Sequence, residues 1–138
     1  MSDFSIDSIT YSSMEQYMMY MKAQVFKDEA IASQILQTSD VATIKALGRG
    51  VINYYDSVWN GMRQILVYKG LREKFGQNED MKKRLLSTDN NYLAECAVND
   101  KIWGIGLSMK DPDRLHIDKW KGQNLLGYAL MIVRSDLK

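Results

Sequence analysis

The spacing of apolar and polar positions changes several times along the chain, and each change marks an element. Phe4, Ile6 and Ile9 stand among Ser and Asp, and Thr10-Tyr11 favours extended backbone, so the chain is expected to open on a short strand. Ser12-Ser13-Met14-Glu15 then reads as a helix start, with Ser12 as N-cap and Glu15 three positions on completing a capping box. The helical pattern continues through Met18, Met19, Lys22 and Ala23. Residues 28–36 and 40–47 predict two further helices, the second stopped by Gly48. The longest helix is predicted over 56–75, where Val58, Met62, Ile65, Tyr68, Leu71 and Phe75 step by three or four and Gly76 supplies the stop. Asn78 caps a shorter helix over 79–86, and Thr88-Asp89-Asn90-Asn91 is a turn cluster. Residues 92–96 and 103–106 read as short strands, and 123–137 as a closing helix, apolar at Leu126, Ala129, Leu130 and Val133. Many helices with a few short strands between them predict an α+β fold with a small sheet, as one domain over residues 1–138.

Composition narrows the classes of function without naming one. The chain has 138 residues with 18 Lys+Arg against 17 Asp+Glu, and a net charge of +1 removes the electrostatic case for non-specific binding to nucleic acid or a membrane surface. The longest strictly apolar run is six residues, Tyr128 to Val133, too short to span a bilayer. Met1 leads straight into Ser2-Asp3 with neither a basic segment nor an apolar core, so no secretory signal is expected. The single cysteine, Cys96, has no internal disulfide partner, which fits a reducing cytoplasm.

The common catalytic inventories are mostly missing. His116 is the only histidine and has no Cys or His partners at zinc spacing, so no metal site is expected. Cys96 lies beside apolar residues without a basic partner and reads as a small buried residue rather than a nucleophile. Gly104-x-Gly106 lacks the third glycine and the strand–helix setting of a dinucleotide fingerprint, there is no phosphate loop, and no cofactor is implied. The basic stretch from Lys69 to Arg84 mixes signs and reads as a solvated helix face.

A polar and aromatic set remains. Glu15 and Lys22 are seven residues apart, about 700° of helical rotation, which puts them on one face and ~10.5 Å apart along the axis, room for a sugar between them. Against this, a capping box alone explains Glu15, and a surface lysine lying along its helix alone explains Lys22. Trp59, Trp103 and Trp120 each adjoin Asn, Gly or Lys rather than lying within an apolar run. Such rings are commonly core, yet a flat ring beside glycine backbone also suits stacking on a base or sugar. With Gly48-Arg49-Gly50 and Asn99-Asp100 in loops, these residues fit a pocket for a polar, ring-containing, phosphorylated small molecule.

The same residues occur in the order of a known family. Tyr11-Ser-Ser-Met-Glu15-Gln-Tyr-Met-Met-Tyr-Met-Lys22-Ala, Gly48-Arg49, Trp59, Lys74-Phe75, Leu86-x-Thr88, Glu95, Asn99-Asp100-x-x-Trp103-Gly104-x-Gly106 and Trp120-x-Gly122-x-Asn124-x-Leu126-Gly127-x-x-Leu130-Met131-x-x-Arg134 closely resemble the NADAR (NAD- and ADP-ribose-associated) superfamily, in its YbiA-like branch. The resemblance covers Tyr11 to Leu137. It implies a predominantly helical YbiA-like α+β domain that cleaves N-glycosidic bonds. The implied substrate is either a phosphorylated riboflavin-biosynthesis intermediate, releasing ribose 5-phosphate, or ADP-ribosylated guanine in nucleic acid. The alternative is a non-catalytic ADP-ribose or nucleotide-binding module. Carried onto this chain, the resemblance makes Glu15 the catalytic acidic residue and Lys22 the active-site lysine. It places Trp59 as the pocket aromatic and Glu95 and Asp100 ahead of the Trp-Gly motif, with Arg49, Trp103, Gly104 and Asn124 near the ligand. Family members usually carry a further strand and a Phe-Ser-Asn-type segment ahead of the part that begins here, so that strand is expected to be missing. No membrane partner is implied, and assembly into a homo-oligomer stays open.

Overall fold

A computed structural model describes residues 2–138. The order is β1 (Phe4–Ile6), β2 (Ile9–Tyr11), α1 (Met14–Val25), α2 (Glu29–Leu36), α3 (Val41–Arg49), α4 (Asp56–Gln77), α5 (Glu79–Leu86) and α6 (Leu125–Leu137), with two short 3-10 turns at Pro112–Leu115 and Ile117–Lys119 before α6. Helices dominate and the described residues hold one two-stranded sheet, as an α+β reading requires. The chain divides into two compact units, up to Lys82 and from Lys83 onward, the division falling within α5.

In the first unit the expected single strand is an antiparallel hairpin pairing Phe4 with Tyr11 and Ile6 with Ile9. Asp7 and Ser8 both take positive φ, 50° and 68°, as a two-residue turn between right-twisted strands demands. Alternation puts Phe4, Ile6 and Tyr11 inward, and the Phe4, Tyr11 and Tyr17 rings meet edge-on or tilted with centroids 5.2–5.8 Å apart. Gln77 at the end of α4 closes the outer edge of β1: its Oε1 accepts from Ser5 N at 2.7 Å and its Nε2 donates to Ser5 O at 2.8 Å. Around this hairpin α1 packs on α2, α3 and α4, and the core joins Phe4, Tyr11, Tyr17, Ala23, Phe26, Ala32, Val51, Trp59 and Leu66.

Helix starts follow side-chain acceptors. Asp28 caps α2 through Ile31 N and Asp40 caps α3 through Thr43 N. Two expected glycine stops are run through. Gly48 lies inside α3 because Met19 packs so closely against it that an added methyl would collide with the Met19 sulfur, and α4 continues past Gly76 to Gln77. Asn78 stands directly before α5, where its carbonyl accepts from Lys82 N at 2.9 Å, while its Nδ2 donates back to Lys74 O and to Asp3 O.

In the second unit neither 92–96 nor 103–106 is a strand. They meet through a single backbone bond, Ile105 N to Glu95 O at 2.9 Å. The backbone carbonyls of Trp103, Gly104 and Ile105 accept from residues 121–126: Lys121 N to Ile105 O, Asn124 N to Gly104 O and Leu126 N to Trp103 O. Apolar β-formers in these stretches therefore fold as interlocked loops, because their partners are one irregular turn rather than an extended strand. Arg134 of α6 is buried and binds Thr88 Oγ1 at 2.8 Å and Asn91 O at 2.9 Å, tying the turn cluster to the helix.

Candidate active site

Helix α1 carries both residues of the candidate pair, and its N-terminus differs from the expected one in a way that bears on Glu15. The N-cap is Ser13, not Ser12: its side chain accepts from Gln16 N at 3.1 Å. The partner three positions on is Gln16, whose Oε1 accepts from Ser12 N at 2.7 Å and whose Nε2 donates to Ile35 O at 3.1 Å and Thr38 O at 2.9 Å. Burial decides between the two registers, since Gln16 faces the core at 5% exposure and can satisfy backbone groups on both sides. Glu15 is thereby released from capping. It lies half-buried in the first turn, where the positive end of the helix dipole favours a carboxylate.

Two turns along α1, Lys22 Nζ donates to Gly48 O at 2.9 Å and stands 4.6 Å from the Tyr54 ring centroid. Gly48 is backbone-close because Met19, one turn before Lys22, fills the space where a side chain would go. No carboxylate pairs with Lys22 among the described residues, and burial pushes its amine below the ordinary lysine value. Tyr54 is itself held. Its hydroxyl donates to Asp56 Oδ1 at 2.7 Å and Phe26 meets it edge-on with centroids 5.2 Å apart. Asp28, buried, accepts from Ile52 N at 3.0 Å through Oδ2 and so anchors the loop that carries Tyr54. Arg49 follows Gly48 at the end of α3 with its side chain exposed. Trp59 is 5% exposed and belongs to the hydrophobic core on the first turn of α4.

The second unit brings Glu95, Asp100, Trp103, Gly104 and Asn124 together, and most of them serve the framework. Asp100 Oδ1 accepts from Ile102 N at 3.0 Å and Trp103 N at 2.8 Å, closing the turn before the Trp-Gly pair. Gly104 has no room for a side chain: a methyl would lie 2.8 Å from Glu95 O and 2.9 Å from Asp100 O. Asn124 is fully buried in left-handed backbone (φ 54°), its Oδ1 accepting from Glu95 N at 2.9 Å and its Nδ2 donating to Leu93 O at 2.8 Å. Asp100 and Asn124, read as ligand-facing, thus spend these polar atoms on backbone. Trp103 is half-buried, and the Glu95 side chain is exposed while its backbone holds the loop. Gln16, Asp28 and Tyr54 were not singled out by sequence. The Ser13-x-x-Gln16 spacing offered a signal for the first; the other two depend on contacts across the fold.

Comparison with known proteins places the chain in a family. The chain belongs to the NADAR domain family, whose profile matches residues 1–138. N-glycosidase R617 of Acanthamoeba polyphaga mimivirus is 43% identical over 91% of this chain and 74% of its own. N-glycosidase YbiA of Escherichia coli is 30% identical over 96% of this chain and 74% of its own. The NMR structure of E. coli YbiA superposes with a TM-score of 0.76, covering 98% of this chain and 72% of that one. A riboflavin biosynthesis protein of Vibrio vulnificus, VVA0006, is 30% identical over 86% of this chain but only 29% of its own length. The predominantly helical, YbiA-like α+β fold is therefore shared. No helix among the described residues is long and apolar enough to cross a membrane.

Proposed function

We propose that this chain is a hydrolase of N-glycosyl bonds that acts on a 5′-phosphorylated riboside, with Glu15 and Lys22 as its reacting groups. The observation that carries the reading is the presence on α1 of a carboxylate freed from capping and a half-buried lysine that has no carboxylate partner among the described residues. The names of the mimiviral and bacterial relatives support the bond type, and the Vibrio protein's name supports a riboflavin precursor. A phosphorylated ribosylaminopyrimidine and an ADP-ribosylated guanine share the same reacting part, a ribose with nitrogen on C1 and phosphate on C5. Arg49, one residue beyond the carbonyl that holds Lys22, is assigned to that phosphate. A reducing, cytoplasmic setting fits the lone cysteine.

Two steps account for the chemistry. The neutral amine of Lys22 forms a bond to C1 with its lone pair as the bond from C1 to the base breaks. The base leaves with the electrons of the broken bond and takes up a proton that the new C1–NH2+ group gives up. Opening of the ring between C1 and its oxygen gives an iminium. Glu15 deprotonates a water that adds to C1, and collapse of the resulting carbinolamine returns the amine and releases the aldehyde sugar. The net reaction is hydrolysis, with no change of oxidation state. A second route uses Lys22 only as a charge, while Glu15 stabilises positive charge on C1 and activates the water directly. Lys22→Arg separates the routes, since arginine keeps the charge and cannot form the iminium. Incubation with a phosphorylated ribosylaminopyrimidine, DNA carrying ADP-ribosylated guanosine, and NAD, followed by mass spectrometry, tests the function itself. Free base with a reducing sugar is the expected result. Thermal stabilisation by these compounds without product would instead make the chain a binding module.

A further inference from the structure

The loop between α3 and α4 holds an arrangement that the reacting pair alone does not explain. Tyr54 is 40% exposed, yet its ring is fixed on three sides. Lys22 Nζ lies over its face at 4.6 Å, Phe26 packs edge-on at 5.2 Å, and Asp56 Oδ1 accepts a hydrogen bond from its hydroxyl at 2.7 Å. The backbone beneath is constrained as well, with Asn53 in left-handed conformation at φ 57° and Ile52 N tied to Asp28. An exposed tyrosine needs none of this to remain in water.

We propose that Tyr54 is a positioning residue for Lys22, a ring clamped by Phe26 and Asp56 that fixes where the amine stands. This role rests on Lys22 being the reacting group, as proposed above. Physically, the ring face attracts the ammonium and leaves Gly48 O as its single hydrogen-bond acceptor among the described residues, so the flexible four-carbon stem is confined to one geometry. The carboxylate of Asp56 pulls on the phenol proton and makes the ring richer in electrons. It thereby acts on Lys22 through the ring without forming an ion pair that would keep the amine protonated. A direct carboxylate at that place would hold the lysine charged and inert; a tyrosine orients it and still lets it lose its proton.

The test uses the full chain and two readouts. One is steady-state release of ribose 5-phosphate from a phosphorylated ribosylaminopyrimidine. The other is borohydride trapping with ribose 5-phosphate itself, in which the amine adds to the aldehyde, water leaves, and hydride reduces the C=N bond to a stable secondary amine. Tyr54→Leu is expected to lower kcat and the trapping rate together by ~10-fold with KM nearly unchanged, the size of one lost ring–cation contact at a partly exposed site. Tyr54→Phe keeps the ring and is expected to recover most of the loss. Asp56→Ala, which frees the ring without removing it, is expected to fall between them and carries the test if Tyr54→Leu fails to fold. Wild-type kcat and trapping in Tyr54→Leu, alongside an inactive Lys22→Arg, would overturn the positioning role and leave the Lys22 reading intact. A raised KM at unchanged kcat would overturn it too, since that pattern marks a substrate contact. Full trapping and turnover in Lys22→Arg would sink the Lys22 reading and the Tyr54 proposal with it.

Discussion

The side chain whose meaning changes most is Glu15. In the capping-box register it needs no function; in the folded chain the box is built by Ser13 and Gln16, and the carboxylate is left over. With Glu15 as the proposed general base, Glu15→Gln is expected to lower turnover by ~10²–10⁴-fold, with the melting temperature unchanged. Ser13→Ala is its control: it removes the cap that the hydroxyl does make, at ~1 kcal/mol by denaturant titration, and leaves turnover alone. Lys22 supplies a second expectation at this scale. Burial holds its pKa below the usual lysine value, so the folded chain binds fewer protons there than the unfolded one, and the reactive neutral amine is populated at lower pH than in free lysine. If the amine is the nucleophile, turnover rises with pH and levels off below the lysine range, and Lys22→Arg abolishes both the rise and the activity. Trp59 points the other way. Its place in the core predicts that Trp59→Ala costs ~3–5 kcal/mol of stability, so calorimetry on this variant has to precede any binding measurement.

At the scale of elements, pattern reading located the six α-helices of the described residues and misjudged those features that depend on neighbours. Repeating apolar positions mark α4 and α6 within a few residues, because the 3.6-residue period is a property of one segment. Gly48 and Gly76 looked like stops because an isolated helix loses stability at glycine; α3 keeps Gly48 because Met19 of another helix occupies the space. The two mistaken strands share a cause. Extended, apolar stretches become strands only if an extended partner lies alongside, and here the partner of Trp103–Gly106 is the turn at residues 121–126. Asn124 substitutes for a strand by offering amide groups to Glu95 N and Leu93 O. Asn124→Gly keeps the left-handed backbone and removes the amide, and is expected to cost ~1–3 kcal/mol for each lost bond. Faster hydrogen exchange at the Glu95 amide would report it, whereas unchanged exchange would assign the hold to the backbone alone.

At the scale of the whole molecule, the aromatic cluster around the hairpin is expected to make stability fall at alkaline pH. Burial, aided by Asp7 and Glu73, pushes the Tyr17 hydroxyl up to about 12 from its ordinary 10.0, and burial together with Tyr20, Tyr17 and Asp7 raises Tyr11 as well. A raised folded-state pKa means that the folded chain holds protons the unfolded chain releases. The stabilisation is complete below pH 10 and is lost as pH rises through about 12. Unfolding followed by circular dichroism is expected to coincide with late tyrosinate absorbance in this window. Tyr17 Oη has no hydrogen-bond partner among the described residues. Tyr17→Phe is accordingly expected to be neutral or stabilising at pH 7 and to flatten the alkaline loss; strong destabilisation would mean that the hydroxyl is satisfied in solution.

Sequence alone determined the helical segments, the α+β class, the family and the shared face of Glu15 and Lys22, because each follows from the spacing of residues along one helix or the order of motifs along the chain. Only the tertiary structure decided which serine caps α1, that Lys22 sits between Gly48 and Tyr54, and that Asp100 and Asn124 brace backbone. Those outcomes turn on which polar groups are taken out of water together. A buried Gln, Asn or Asp must satisfy whatever donors and acceptors the fold brings beside it, and these come from residues as far as 31 positions away.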